Sequence, residues 1–301
     1  MKKIAKIAGI MIIISVFLLI IGFMTNASKH IYFDSSGVHV AEREKRVLIS
    51  EPLPQDILNI NINVVSADIR FVNTADEFKI ELYNYKEQYE WSVDGNTLRI
   101  SEDLKYNKKF IIDLDFFGDK RMYGEIKLYI PSGSQFENIT MRNVSGDFVL
   151  RNFTSKELRA ENISGDIKVF NIVSEKMDFS LISGDFDSED IESEDCSIGL
   201  ISGDIEIERA RLGNLTVKNT SGDIKLSGDV ENSKFDVISG DIELNLTGNQ
   251  NEYKRNIHLL SGSLYINDKK ADEKNYSGNE TSKGIAVNSK SGIVKLNFNL
   301  Q

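Results

Sequence analysis

Six aspartates recur at a fixed spacing, each ending a Ser-Gly-Asp triplet: Asp147, Asp166, Asp185, Asp204, Asp223 and Asp241. The intervals are 19, 19, 19, 19 and 18 residues. Carboxylates gathered into one column could do two kinds of chemistry. With carbonyl oxygens they could hold calcium, which takes several oxygen ligands. Alternatively they could cap turns, because Ser and Asp side chains hydrogen-bond nearby backbone amides. The glycine-rich nonapeptide of calcium-binding β-rolls is missing, so turn capping is the favoured reading and calcium its alternative. Like charges stacked at strand spacing repel by about 1 kcal/mol per neighbouring pair in water. Something in the fold must offset that.

Other reactive residues are sparse. The histidines are His30, His39 and His258, and the single cysteine is Cys196. No nucleophile elbow, phosphate loop or metal-ligand spacing accompanies them. No catalytic, cofactor-binding or metal-ligating residue is assigned, and the expectation is a protein that is not an enzyme and needs no cofactor. A polysaccharide-acting β-helix enzyme, with acidic residues in a groove, stands as a distant alternative. Tyr83, Tyr85, Tyr89 and Trp91 form a candidate carbohydrate platform, with cross-strand packing as the favoured reading. One ring of the Phe116 and Phe117 pair is expected to face outward toward a membrane or partner.

The elements that position these residues follow from the period. Aligned on the serine, Met141, Ala160, Phe179, Ile198, Val217 and Phe235 stand four before it. Phe148, Ile167, Phe186, Ile205, Ile224 and Ile242 stand three after it. Polar residues separate the apolar columns, which is the period-two pattern of strands on both sides of a tight turn. A repeat near twenty residues is one supersecondary unit stacked on copies of itself. The fold expected is therefore all-β, a single-chain parallel β-solenoid (β-helix) with ~19-residue coils. One ambiguity is left open. The residue before the serine is apolar in five of six copies (Val144, Ile163, Ile182, Ile201, Thr220, Ile238), and the one before that is mixed (Asn143, Asn162, Leu181, Leu200, Asn219, Val237). Alternation cannot bury both columns.

The ends of the array degenerate. Ser261-Gly262-Ser263 and Ser291-Gly292-Ile293 read as terminal coils that lack the aspartate, and Ser66-Ala67-Asp68 as an early copy. Strands are expected between residues 57 and 130, with a hairpin turn at Asp94-Gly95-Asn96. Residues 115–123 and 267–283 are expected to protrude.

The N-terminus suggests a compartment. Residues 7–24 are uncharged and mostly apolar, and Lys2, Lys3 and Lys6 precede them. As a helix they would span roughly 27 Å, close to a bilayer core. A retained transmembrane helix is favoured over a cleaved signal peptide, giving a single-pass cell-membrane protein with its C-terminal domain extracellular. The organisation expected is residues 1–29 as anchor, 30–55 as spacer and 56–301 as ectodomain. Within the ectodomain, 56–135 would be irregular coils or a cap and 136–301 the array. The net charge is −10, and the first 29 residues hold four lysines and no acid, which leaves −14 on the rest. Such a surface argues against nucleic acid or anionic lipid as bulk partners.

Three places together resemble the bacterial "putative adhesin" family of β-strand-repeat proteins. They are residues 60–71 with 76–83, residues 126–133 and the Ser-Gly-Asp array. The resemblance covers about residues 57–300 and implies a solenoid with no defined active site. It is similar in layout to envelope-stress components. The function expected is a membrane-anchored, adhesin-like surface protein that binds cell-wall polymer, peptide or surface and membrane proteins. The alternative is an extracytoplasmic sensor of envelope stress.

Overall fold

Parallel strands recur every coil because each strand has one apolar edge of alternation and must cover it with copies of itself. The computed structural model describes residues 30–34, 37–40, 46–74, 76–85, 89–102, 110–113, 124–272, 274–277 and 283–300. Long strands cover Phe148–Ser164, Ile167–Ser183, Phe186–Ser202, Ile205–Ser221 and Ile224–Ser239. Each pairs in parallel with the next at an offset of one repeat, as Phe148 with Ile167 and Ala160 with Phe179. Pairing skips Asn152, Lys156 and Ile163 in the first of these coils, so the strand bends there into short segments. Like residues stack in the interior: Phe148, Ile167, Phe186, Ile205, Ile224 and Ile242 are all fully buried. The solenoid and its apolar columns are as the sequence predicts.

Two units make up the chain. In the smaller, His30–Asp34 pairs antiparallel with Gly37–Val40 and with Phe110–Asp113. The larger holds the array and its two ends. Within residues 30–55, expected as a spacer, the strands His30–Asp34, Gly37–Val40 and Arg46–Pro52 are found.

Both ends of the array depart from simple succession. At the N-terminal end Asn59–Asn63 and Ala67–Thr74 form a coil in register with the array. Thr97–Glu102 and Gly124–Pro131 stack outside it in parallel. Antiparallel strands then cover them: Tyr89–Asp94 on Thr97–Glu102, Lys79–Tyr85 on Gly124–Pro131, and Arg46–Pro52 on Lys79–Tyr85. At the other end Lys283–Leu300 inserts between the coil formed by residues 232–247 and the coil formed by residues 253–266, so the last coil in sequence is not the last in space. Lys269–Ala271 and Lys274–Ser277 pair antiparallel with this outermost coil. The stretch expected to protrude thus supplies an edge cover, because a bare strand edge would expose unpaired amides.

One expectation is corrected. No helix among the described residues is long and apolar enough to cross a membrane, so the single-pass membrane location and N-terminal transmembrane helix are not found. Residues 7–24, like residues 115–123 with Phe116 and Phe117, lie outside the described residues.

Candidate functional site

The Ser-Gly-Asp corner is built almost wholly of backbone. At Gly184 φ is 129°, and a Cβ there would sit 2.2 Å from the Gly165 carbonyl oxygen. Only glycine allows both the torsion and the approach of successive coils. The next residue closes the corner. The Asp147 N–H donates to Asp68 Oδ1 at 3.0 Å, Asp166 N–H to Asp147 at 2.9 Å and Asp185 N–H to Asp166 at 3.0 Å. The same bond continues from Asp204, Asp223 and Asp241 and ends where Ile293 N–H donates to Asp241 at 2.8 Å. Each carboxylate therefore satisfies an amide that the corner would leave free. These bonds, strengthened by the acceptor's charge, offset the repulsion along the column. The stacking of Ser66 on Ser145 confirms Ser66-Ala67-Asp68 as a degenerate first copy.

The structure resolves the two ambiguous columns. The mixed column points inward: Asn162, Leu181, Leu200, Asn219 and Val237 are buried. Asn162 Nδ2 donates to the carbonyls of Gly146 at 2.8 Å and Gly165 at 3.2 Å, and Asn219 repeats this with Gly203 and Gly222. An inward asparagine thus ties two consecutive corners. The mostly apolar column points outward. Ile163, Ile182 and Ile238 are each 45% exposed, Ile201 51%, and Leu260 on the outermost coil 72%.

This outward stripe borders a groove of about 730 Å³. Its floor and walls include Ile182, Ile201, Ile238 and Leu260, with Lys218 and Lys290 beside them. Pairing places Ser180, Gly199, Lys218, Asp236, Asn288 and His258 in one row along it. The small residues Ser180 and Gly199 leave the groove open beside Ile182 and Ile201. Asp236 accepts a hydrogen bond from Asn288 Nδ2 at 2.9 Å and pairs with Lys234 at 2.9 Å. Those hydrogen bonds hold its carboxyl below the ordinary aspartate range.

The Toastrack DUF4097 family model matches residues 57–297, most of the chain. The chain belongs to this family. No curated protein matches its sequence. Among solved structures, a "putative adhesin" from Bacteroides fragilis is 15% identical with a TM-score of 0.49, over 84% of this chain and 97% of that one. A "putative adhesin" from Parabacteroides merdae is 9% identical with a TM-score of 0.47, over 86% and 98%. A "putative lipid binding protein" from Parabacteroides distasonis is 15% identical with a TM-score of 0.35, over 84% and 97%.

The remaining candidates of this Toastrack chain serve packing. Cys196 is 3% exposed, and burial pushes its thiol up to about 12, so it is an inert core residue. Tyr89 is buried and its hydroxyl donates to the Ser66 carbonyl at 2.5 Å. Trp91 packs against the core, and Lys127 Nζ lies 4.7 Å from the centre of the Tyr83 ring. No shared aromatic platform forms from these three; the Tyr85 side chain lies outside the described residues.

Two arrangements had no clear signal in the sequence. Tyr129 donates to Glu81 Oε2 at 2.8 Å, with Lys79 on the other carboxylate oxygen at 2.7 Å. Burial and this hydrogen bond push the Tyr129 hydroxyl up to about 12. Burial also pushes the Glu81 carboxyl up, but the bonds from Lys79 and Tyr129 outweigh it and leave it below its ordinary value. The second arrangement is an exchange of charge between coils, as in Arg142–Glu161, Lys168–Asp187, Arg211–Glu192 and Lys225–Glu206.

Proposed function

We propose that the chain is a non-enzymatic binding protein with an adhesin-like role. The solenoid acts as a stiff frame that presents the isoleucine stripe and its groove to a ligand at a surface. One observation carries this reading. Exposed large apolar side chains elsewhere in the array are isolated, such as Val173, yet Val144, Ile163, Ile182, Ile201 and Ile238 stand exposed in one column. Folding asks for nothing apolar at that outward slot, where Thr220 also fits. A contiguous exposed apolar patch rimmed by polar side chains is the mark of an interaction surface.

The non-enzymatic part is supported by how the repeat uses its polar groups. The corner aspartates accept backbone amides, the inward asparagines hold glycine carbonyls, and the buried Ser174 and Ser193 donate to the carbonyls of Lys176 and Asp195. Their chemistry is structural.

The test uses the full chain and an environment-sensitive apolar dye. The wild-type protein is expected to raise dye fluorescence saturably. The variant Ile182→Ser/Ile201→Ser/Ile238→Ser is expected to lose most of that signal at an unchanged melting temperature, because these side chains lie outside the core. Equal dye binding by the two proteins would reject the groove as the binding surface.

A further inference from the structure

We propose that the face carrying the isoleucine stripe binds a second copy of the chain, face to face, with the two solenoid axes antiparallel. This rests on the binding role proposed above and names its partner.

The charges identify the partner. One outward row runs beside the stripe across six neighbouring strands: Arg142, Glu161, Ser180, Gly199, Lys218 and Asp236. Arg142 and Glu161 lie beyond the lining of the groove but on the same face. Read backwards, the row exchanges each charge for its opposite and keeps the two small residues in the middle. A two-fold axis parallel to the strands, passing between the coils of Ser180 and Gly199, therefore sets Arg142 against Asp236 of the second copy. The same axis sets Glu161 against Lys218 of the second copy, and each contact occurs twice. A surface complementary to itself is what a two-fold interface requires. Within one copy Arg142 pairs with Glu161 at 3.0 Å, and Lys218 stands one coil from Asp236. Each plus–minus pair thus meets a minus–plus pair across the interface.

Neighbouring registers fail. A slip of one coil in either direction would set Arg142 against Lys218 or Glu161 against Asp236, like on like. The next outward row raises no conflict, because Thr140, Arg159 and Asp178 would face Lys234, Thr216 and Ser197. On the corner side the stripe closes on itself, with Ile182 against Ile201, Ile163 against Thr220 and Val144 against Ile238. The isoleucines and Val144 among these are exposed in the single copy, and the pairing removes them from water. Ser180 and Gly199 at the centre let the two sheets approach to the about 10 Å of stacked sheets. From Arg142 to Asp236 the face advances five coils, ~24 Å at strand spacing. At five residues across it falls short of the ~800 Å² per partner of a long-lived interface, so the pairing is reversible.

The test is sedimentation equilibrium of the full chain from micromolar concentration upward. The wild-type protein is expected to pass reversibly from monomer to dimer. Lys218→Glu sets two acids against each other and should weaken the dimer at least about tenfold. Glu161→Lys sets two bases together and should do the same. An equimolar mixture of these two variants should regain the wild-type dimer, because every contact between them again joins opposite charges. The variant Ile182→Ser/Ile201→Ser/Ile238→Ser, which keeps all the charges, should be monomeric. A wild-type protein that stays monomeric overturns the proposal. So does a dimer that neither charge variant weakens, or a mixture that does not recover it. Dye binding by dilute protein is read separately. A monomer that binds the dye keeps the broader binding role, and one that does not removes that role as well.

Discussion

Asp166 and Asp185 sit one coil apart, and the N–H of the second donates to Oδ1 of the first at 3.0 Å. The bond needs an acceptor on the side chain but no particular charge. Asp166→Asn, with its carbonyl oxygen turned to the amide, is expected to fall within about 0.5 kcal/mol of wild type, since it also removes a like charge from the column. Asp166→Ala leaves the Asp185 amide unpaired and is expected to cost about 1–3 kcal/mol. Urea unfolding of the two variants checks this, and a large loss in the asparagine variant would show that the charge itself matters.

Two glycines separate what the backbone requires from what the groove requires. Gly184→Ala would force a Cβ to 2.2 Å from the Gly165 carbonyl oxygen at φ 129°. That should cost several kcal/mol or prevent soluble expression. At Gly199 the nearest atom to a Cβ is the Phe179 carbonyl oxygen at 3.9 Å. Gly199→Ala should fold with near wild-type stability, and Gly199→Leu should fill the groove and weaken dye binding several-fold. Thermal melts and dye titration of the three variants together decide the point.

Why the sequence revealed the solenoid but not the site can be argued from particular columns. Phe148, Ile167 and Phe186 lie at a strict repeat with polar neighbours, so the period and the inward face could be read directly. The column of Asn162 and Leu181 could not be assigned, because asparagine there satisfies two glycine carbonyls that appear only when coils stack. Alternation left Ile163 and Ile182 equally open to burial, and the fold exposes them. The insertion of Lys283–Leu300 inside the coil Tyr253–Ile266 was equally hidden. Ser261-Gly262-Ser263 and Ser291-Gly292-Ile293 carry the same corner signal whichever lies outermost.

Asn162 offers a direct test of that reading. Leucine fits the same inward slot at positions 181 and 200, so Asn162→Leu creates no clash of size. It removes the donor shared by the carbonyls of Gly146 and Gly165. A loss of about 1–2 kcal/mol is expected from those carbonyls, with the melting transition remaining cooperative. A neutral or stabilising result would show that burial of leucine outweighs the lost bonds.

Another prediction concerns the left-handed bend that follows the Asp corner around each coil. Arg209 has φ 51° and makes a bidentate pair with Asp190 at 2.9 and 3.0 Å, where the equivalent Asn152 and Asn171 form a side-chain ladder. Asparagine tolerates this torsion better than arginine. Arg209→Asn should therefore lose a surface ion pair of less than about 1 kcal/mol and recover part of it in backbone strain. Arg209→Val, β-branched at positive φ, should lose more than about 1 kcal/mol. Denaturant midpoints of the two variants that coincide would contradict the strain argument.

Asp236 links pH to stability. Hydrogen bonds from Asn288 and Lys234 depress its carboxyl below its ordinary value of 3.8. A depressed folded value means the carboxylate stabilises the fold fully above pH 3.8, and that contribution is lost as pH falls through the folded value. The group is partly exposed, so the contribution is less than about 1 kcal/mol. Asp236→Asn should be slightly less stable than wild type at pH 7, and the gap should close in acid. Unfolding midpoints of the two proteins at neutral and acid pH check this. A stability gap that persists in acid would assign the loss to packing.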